Sequence, residues 1–328
     1  MGADEKFNMV LEQYSLTIKQ MYKFGGALYL ETEQGFFMLR QRPVKEGRAV
    51  FEEKIKALIV ENGFENVDTA VKNNEEKYVT EGNYGETYIL RKWYKGDECE
   101  LTDRPSVLKA VEALGRIHRT MWGLEVEEKV PYVAQTVAEK FSRRTGEMRR
   151  IITYLRKQKQ KNEFEAWMEK QLPVYVEQAY KADAYLNKEY DSSLLKDAIT
   201  GGGLFHGGFT GHNVIMDDEV AIVNFEKSKI GPKVHDLYHF MRKCGEKNCW
   251  DVALMDKIMD GYYRENLLDD REVNVLHAQL LYPEKFWKIV NMYYNGKKSW
   301  IPGKVEEKLT SVCGMQDKKE EFLRSIFR

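Results

Sequence analysis

The chain has 328 residues, 43% of them hydrophobic, and its 51 Lys and Arg nearly balance 52 Asp and Glu to leave a net charge of −1. That length and apolar content bury a large core and exceed the usual size of one domain, so two lobes are expected. The charge balance gives no global argument for a nucleic acid or an anionic membrane as partner, and no apolar run approaches the roughly 18 residues of a spanning helix. The opening Met1-Gly2-Ala3-Asp4-Glu5-Lys6 lacks a basic-then-apolar signal segment, which predicts synthesis and retention in the cytoplasm without membrane insertion. Cys99, Cys244, Cys249 and Cys313 show no zinc or redox spacing and read as reduced thiols.

Taken in chain order, the first segment alternates apolar and polar residues around glycines, at Ala27–Leu30 and Phe36–Leu39 with a turn at Glu33-Gln34-Gly35, and predicts an antiparallel sheet. A helix over Ala49–Asn62, closed by Gly63, interrupts it. Strands resume around Tyr78 and Tyr88, joined through Gly82-Asn83-Tyr84-Gly85. Beyond Gly96 the pattern turns helical. Asp103-Arg104-Pro105 opens an amphipathic helix carrying Leu108, Val111, Leu114 and Ile117 and ending near Trp122. Residues 134–198, with only Gly146 and Pro173 as breakers, predict two long helices; Gly201-Gly202-Gly203 predicts a flexible lead into a strand; and from Asp251 onward the pattern is helical, interrupted at Pro283 and Pro302. The division expected is residues 1–95 as a sheet-based N-lobe and 96–328 as a helical C-lobe.

The stretch Phe205-His206-Gly207-Gly208-Phe209-Thr210-Gly211-His212-Asn213, followed by Asn224-Phe225-Glu226, has the spacing of a phosphotransferase active site with both acids replaced. Such a site uses an Asp that accepts the substrate hydroxyl's proton, an Asn five positions on that holds a metal, and a second metal-binding Asp after a short strand. Gly208 stands at the first Asp, Asn213 keeps the Asn, and Asn224 stands at the second Asp, so the degenerate loops are 205–213 and 223–226. Asp217-Asp218 and Val220-Ala221-Ile222-Val223 between them read as a turn and a strand. Losing the base costs about 10²- to 10⁴-fold in rate. Losing the metal's carboxylate costs several kcal/mol more, because phosphoryl transfer is mostly positioning and neutralisation. A phosphate-neutralising Lys is expected on an early strand, held by a helix Glu; the candidate here is Arg40, with Glu52 or Glu53 as partner. Glu226 is a candidate to rescue the metal site, two residues beyond Asn224 on a segment read as extended, with Asp217, Asp218 and His212 as further candidates.

The chain resembles the aminoglycoside and choline phosphotransferase superfamily, and within it the CotS-type spore-coat proteins. Beyond the loops, the resemblance rests on Tyr88–Glu100, Leu114-Gly115-Arg116-Ile117-His118-Arg119, the basic segment from Glu147 to Glu165, and Asp236–Lys243, in family order. It implies an α+β, two-lobed protein-kinase-like fold with a small antiparallel-sheet N-lobe and one main helix there. It implies structural roles for His206, His118 and Asp236, the last bracing the catalytic loop, and residence in the spore coat.

The function expected is a catalytically degenerate kinase-like protein that binds and scaffolds in spore envelope assembly, with no cofactor. The alternatives are an atypical small-molecule phosphotransferase, using ATP and Mg²⁺ with Asn213 and Glu226 on the metal and Arg40 and Glu52 on the nucleotide, or a nucleotide sensor without turnover. The basic cluster Arg143, Arg144, Arg149, Arg150, Arg156, Lys157, Lys159 and Lys161 reads as a solvated helix face or as a docking surface for other spore-coat proteins or an acidic partner. His235 and His239 share i,i+4 spacing but lack the third ligand of a metal site.

Overall fold

In the computed structural model, residues 3–125, 132–295 and 302–327 are described; Met1 and Gly2 lie outside them. A helix, α1 (Ala3–Leu11), precedes five strands: β1 (Ile18–Phe24), β2 (Ala27–Thr32), β3 (Phe36–Gln41), β4 (Thr80–Glu81) and β5 (Thr87–Lys92), paired antiparallel in the order β1-β2-β3-β5-β4. The period-2 alternation has its ordinary consequence. Leu28, Leu30, Phe37, Leu39 and Leu90 form one face and bury against Val10, Leu11 and Tyr14 of the N-terminal segment. The opposite face meets α2 (Glu46–Glu61) through Ala49, Val79 and Ile89. Between β1 and β2 the chain reverses in two residues, Gly25 (φ +57°) and Gly26 (φ +78°), the left-handed pair that a tight hairpin requires.

The connection β6 (Asp97–Glu98) leads into the C-lobe and pairs with the hairpin β8 (Val214–Met216) and β9 (Ala221–Ile222). A second ribbon joins β7 (Leu204–Phe205) to β10 (Lys229–Ile230). Helix α3 (Arg104–Thr120) starts where the Asp103 carboxylate accepts the Ser106 N–H, with Pro105 in the first turn, and buries Val107, Val111, Leu114 and Ile117. The remaining helices are α4 (Val137–Lys157), α5 (Glu163–Tyr185), α6 (Lys188–Gly201), α7 (Val234–Lys247), α8 (Val252–Glu265), α9 (Asp270–Leu281), α10 (Glu284–Asn295), α11 (Pro302–Gly314) and α12 (Gln316–Ile326). None is long and apolar enough to cross a membrane among the described residues.

Residues 134–198 hold three helices rather than two. The breaks fall not at Gly146 and Pro173, which lie inside α4 and α5, but at Asn162 and Asn187, whose side chains accept the first free N–H groups of α5 and α6. The glycine triplet is also packed rather than flexible. Gly202 takes the left-handed C-cap of α6 at φ +63°, and a Cβ on Gly201 or Gly203 would fall 2.4 or 2.5 Å from the Trp122 ring.

Candidate functional site

The loop after β7 is held from beneath. Asp236, fully buried in the first turn of α7, accepts the backbone N–H of His206 (2.5 Å) and of Gly207 (2.8 Å), and lies 3.4 Å from His118 Nε2. Burial alone would raise the Asp236 pKa, but the His118 ring and the N–H donors hold it below the ordinary aspartate value. The His206 ring donates from Nε2 to the Val223 carbonyl at 3.0 Å and accepts the Gly208 N–H on Nδ1 at 3.2 Å. These bonds fix its tautomer and tie the catalytic-loop position to the metal-loop strand. At Gly208 a Cβ would meet Asn213, His206 and Lys227 at ordinary distances of 3.5–3.6 Å, so the loop has room for a side chain there.

Asn213 and Asn224 are brought together, but as a pair of amides. Asn224 Nδ2 donates to Asn213 Oδ1 at 2.8 Å, and Asn213 Nδ2 donates to the Gly208 carbonyl at 2.8 Å. Asn224 Oδ1 faces the guanidinium of Arg91, whose Nη1 lies at 3.5 Å. Arg91, on β5 and 2% exposed, also reaches Asp68 Oδ2 (3.2 Å) and Glu226 Oε1 (3.4 Å). Asp68 is fully buried; its Oδ2 accepts the Asn224 N–H at 2.9 Å and its Oδ1 faces the Lys56 ammonium at 3.3 Å. Asn224 Oδ1 and Glu226 Oε1 therefore face the Arg91 guanidinium, while Asn213 Oδ1 accepts from the Asn224 amide.

Glu226 is not arranged as the extended reading required. Asn224 is left-handed (φ 64°, ψ 58°), a conformation asparagine tolerates, and residues 225–227 form a 3₁₀ turn, so Asn224 and Glu226 do not stand in i,i+2 register on a strand. Glu226 turns toward Arg91 and toward Arg42 Nε at 3.5 Å. Mg²⁺ demands hard, anionic oxygens. Two amides and one carboxylate shared by two guanidiniums do not fit it.

Arg40 is likewise not the cation that pairs with Glu52. It is exposed on β3, whereas Arg42, two residues on and about 7 Å further along the same face, lies against α2. Arg42 Nη1 and Nη2 meet the two Glu52 oxygens at 2.6 Å each, and Arg48 Nε reaches Glu52 Oε1 at 2.8 Å. Burial works against the Arg42 charge, but the Glu52 hydrogen bonds and charge outweigh it and keep its pKa above the ordinary arginine value. Glu53 pairs with Lys56 at 2.7 Å and accepts the Ala70 N–H. Arg48 continues across the cleft, donating from Nη2 to the carbonyls of Glu226 and Ser228 at 2.9 Å while its guanidinium covers the Tyr132 ring. Three arginines on one buried glutamate thus join α2 and β5 to the segment after the metal loop.

The family model described as "Spore coat putative kinase YutH" matches residues 7–326. The chain belongs to that family. Among solved structures, an aminoglycoside phosphotransferase from Alicyclobacillus acidocaldarius superposes with a TM-score of 0.85 at 17% identity, covering 97% of this chain and 94% of its own. The AMP-bound spectinomycin phosphotransferase follows at TM-score 0.65 and 12% identity, covering 94% of each chain. The amicoumacin kinase solved with AMP-PNP and Ca²⁺ gives 0.55 and 13%, covering 98% of this chain and 94% of its own. At these identities the likeness establishes the kinase-like fold. No curated protein sequence matches the chain.

In this member of the spore-coat kinase family the other candidates for metal rescue lie apart from the amide pair. His212 is exposed and bonds Glu98 at 2.5 Å, and Asp217 accepts the Asp218 N–H in the β8–β9 turn. His235 lies 3.5 Å from Lys140 and 3.4 Å from Gln279 through its two ring nitrogens, so its partners are not metal-ligating acids. Arg91, Arg42, Arg48, Lys56 and Asp68 escaped the sequence reading. Only an excess of arginine near the expected strand–helix pair signalled them, and nothing local pointed to Asp68.

Proposed function

We propose that this chain acts in the spore coat by binding, with a kinase fold that no longer transfers phosphoryl groups. The observation that carries the reading is the Arg91 guanidinium lying against Asn224, Glu226 and Asp68, where a catalytic metal would need their oxygens. A protein cation fixed there supplies the local neutralisation that Mg²⁺ supplies in an active enzyme, but cannot bridge phosphate oxygens as an ion does. The base position adds to this, since Gly208 offers no proton acceptor. The test is release of ADP from Mg-ATP in the presence of simple alcohols and amino sugars. The expected rate equals the protein-free blank, and turnover that disappears in Asn213→Ala would overturn the proposal.

The binding face proposed is the C-terminal half of α4 and the residues just after it. Arg144 is withdrawn from the basic cluster to Glu284 at 2.9 Å, Lys161 to Glu169 at 2.8 Å, and Arg143 to Gln135 at 3.2 Å. Arg149, Arg150, Arg156, Lys157 and Lys159 remain exposed, with no ion pair among the described residues, around the half-exposed Tyr154. A surface of one sign suits an acidic segment of another coat protein. Binding to polyglutamate should weaken steeply with salt and drop when Arg150, Arg156 and Lys157 are changed together to Gln. Salt-independent binding would refute this surface.

A further inference from the structure

Inside the C-lobe, α7, α10 and α12 crowd cationic side chains around a small cavity that has no part in the cleft. Arg242, Lys285 and Lys319 line it together with Glu246, Glu284, Trp250 and Tyr282. The carboxylates are fewer than the cations they face. Glu246 is shared between Arg242 and Lys285, the latter at 3.0 Å, and Glu284 is taken by Arg144 at 2.9 Å and the Tyr238 hydroxyl at 2.7 Å. Lys319 has no carboxylate within ion-pair distance among the described residues; its ammonium lies 3.4 Å from the carbonyls of Leu281 and Tyr282, and 5.6 Å from the Trp250 ring centre. Arg242 is 6% exposed, and its Nε has no hydrogen-bond partner. A buried guanidinium N–H without an acceptor is a costly arrangement that a ligand oxygen would relieve.

Two further features mark the cavity as built. Trp250 and the preceding Cys249 both have positive φ (54° and 51°), a backbone strain that bulky residues hold only where the surroundings impose it. The Trp250 indole is seated on Gly245 of α7, where a Cβ would fall 2.5 Å from the ring. Burial pulls the Lys319 ammonium down to about 8, with Arg242 adding to the fall against the opposing pull of Glu246. Burial lowers Lys243 too, with Arg242 adding to the fall, Glu246 opposing it, and Lys285 and Lys288 contributing. Burial works against Arg242 itself, but Tyr238, Glu246 and Glu284 hold it above the ordinary arginine value; it is Lys319 and Lys243, depressed in part by Arg242, that an anion among them would relieve.

We propose that this cavity is a binding site for a small oxyanion of the phosphate class, held by Arg242 and Lys319 and closed on one side by Trp250. Its size sets the class. Its volume, about 40 Å³, is room for about three waters, which suits a small tetrahedral oxyanion and excludes a nucleotide. Arg242 lies six residues beyond Asp236 on α7, about 9 Å along the helix at 1.5 Å per residue, so an anion here stiffens the helix that braces the degenerate loop without touching that loop.

The probe is inorganic phosphate added to the full chain, with sulfate as a second tetrahedral anion, and acetate and chloride at matched ionic strength as controls. Thermal unfolding and the fluorescence of Trp250, isolated by difference against Trp250→Phe, are the readouts. Phosphate and sulfate are expected to raise Tm and shift the Trp250 emission saturably, with acetate weaker and chloride without effect. Lys319→Met, which keeps the apolar stem, and Arg242→Gln are each expected to weaken phosphate binding tenfold or more, while Lys19→Gln, exposed on β1, leaves it unchanged. Equal stabilisation by chloride would overturn the proposal, as would phosphate binding that survives in a folded Lys319→Met or that falls equally in Lys19→Gln. If Arg242→Gln does not fold, the Lys319→Met result decides alone.

Discussion

Removing the Glu52 carboxylate should destabilise the chain by an amount that follows from its buried ion pairs. Glu52 is 2% exposed and neutralises Arg42 through two 2.6 Å bonds and Arg48 through one of 2.8 Å, with Arg91 at 3.8 Å. Breaking a buried pair by deleting one partner typically costs about 3–5 kcal/mol, because the other charges stay behind. Here Arg42 and Arg48 keep 13% and 14% of their side-chain surface in water, and Glu226 remains 3.5 Å from Arg42. The lower end, about 3 kcal/mol for Glu52→Ala, is therefore expected. At about 2 °C per kcal/mol for a long chain, this is a fall of roughly 6 °C in Tm. The double mutant with Arg42→Met should be less destabilised than the two single mutants summed, by at least about 1 kcal/mol, since the partners act as one unit. Urea unfolding followed by circular dichroism measures all three. A Glu52→Ala protein within about 0.5 kcal/mol of the parent, additive with Arg42→Met, would refute the argument that this glutamate ties the lobes together.

Glu284 sets a pH dependence: burial alone would raise its pKa, but Arg144, then Arg242 and His239, hold it at about 2 against an ordinary value of 4.5. Its depressed folded pKa makes its contribution complete above about pH 4.5 and lost as pH falls toward 2, on the order of 3 kcal/mol, so Glu284→Gln should flatten the stability-versus-pH curve in that window; an unchanged slope would contradict it. Gly201→Ala should cost about 1–3 kcal/mol by overpacking against Trp122, and Trp122→Ala in the same chain should recover most of that cost, as thermal unfolding would show. Restoring Gly208→Asp and Asn224→Asp together should give a folded protein, because the Gly208 site has room, with no Mg-dependent ATP turnover, because Arg91 still faces the metal position; robust phosphorylation of a simple alcohol would refute this.

The loops were legible in the sequence, and the side chains that contact them were not. The spacing from His206 to Asn213 and Asn224 singled out two amides that the structure pairs at 2.8 Å, because motif spacing reports a local backbone course that tertiary contacts rarely change. Strand alternation likewise gave the N-lobe sheet. What failed were choices that tertiary geometry makes. Arg40 and Arg42 share a face, and only the position of α2 decides that Arg42 meets Glu52. Glu226 read as extended because nothing in Asn224-Phe225-Glu226 announces a left-handed asparagine followed by a 3₁₀ turn. Arg91 and Asp68 are far in sequence from the loops they fill. The two-helix reading of residues 134–198 gave too much weight to Pro173 and Gly146, which long helices absorb, and missed the asparagine caps at Asn162 and Asn187.

The most direct test of the central claim, that an arginine stands in the metal's place, is a calorimetric titration of the full chain with ATP, once with Mg²⁺ and once with a chelator. Mg²⁺ is expected to add nothing to any heat observed with ATP. ATP binding that tightens tenfold or more with Mg²⁺, and loses that gain in Asn213→Ala, would contradict it.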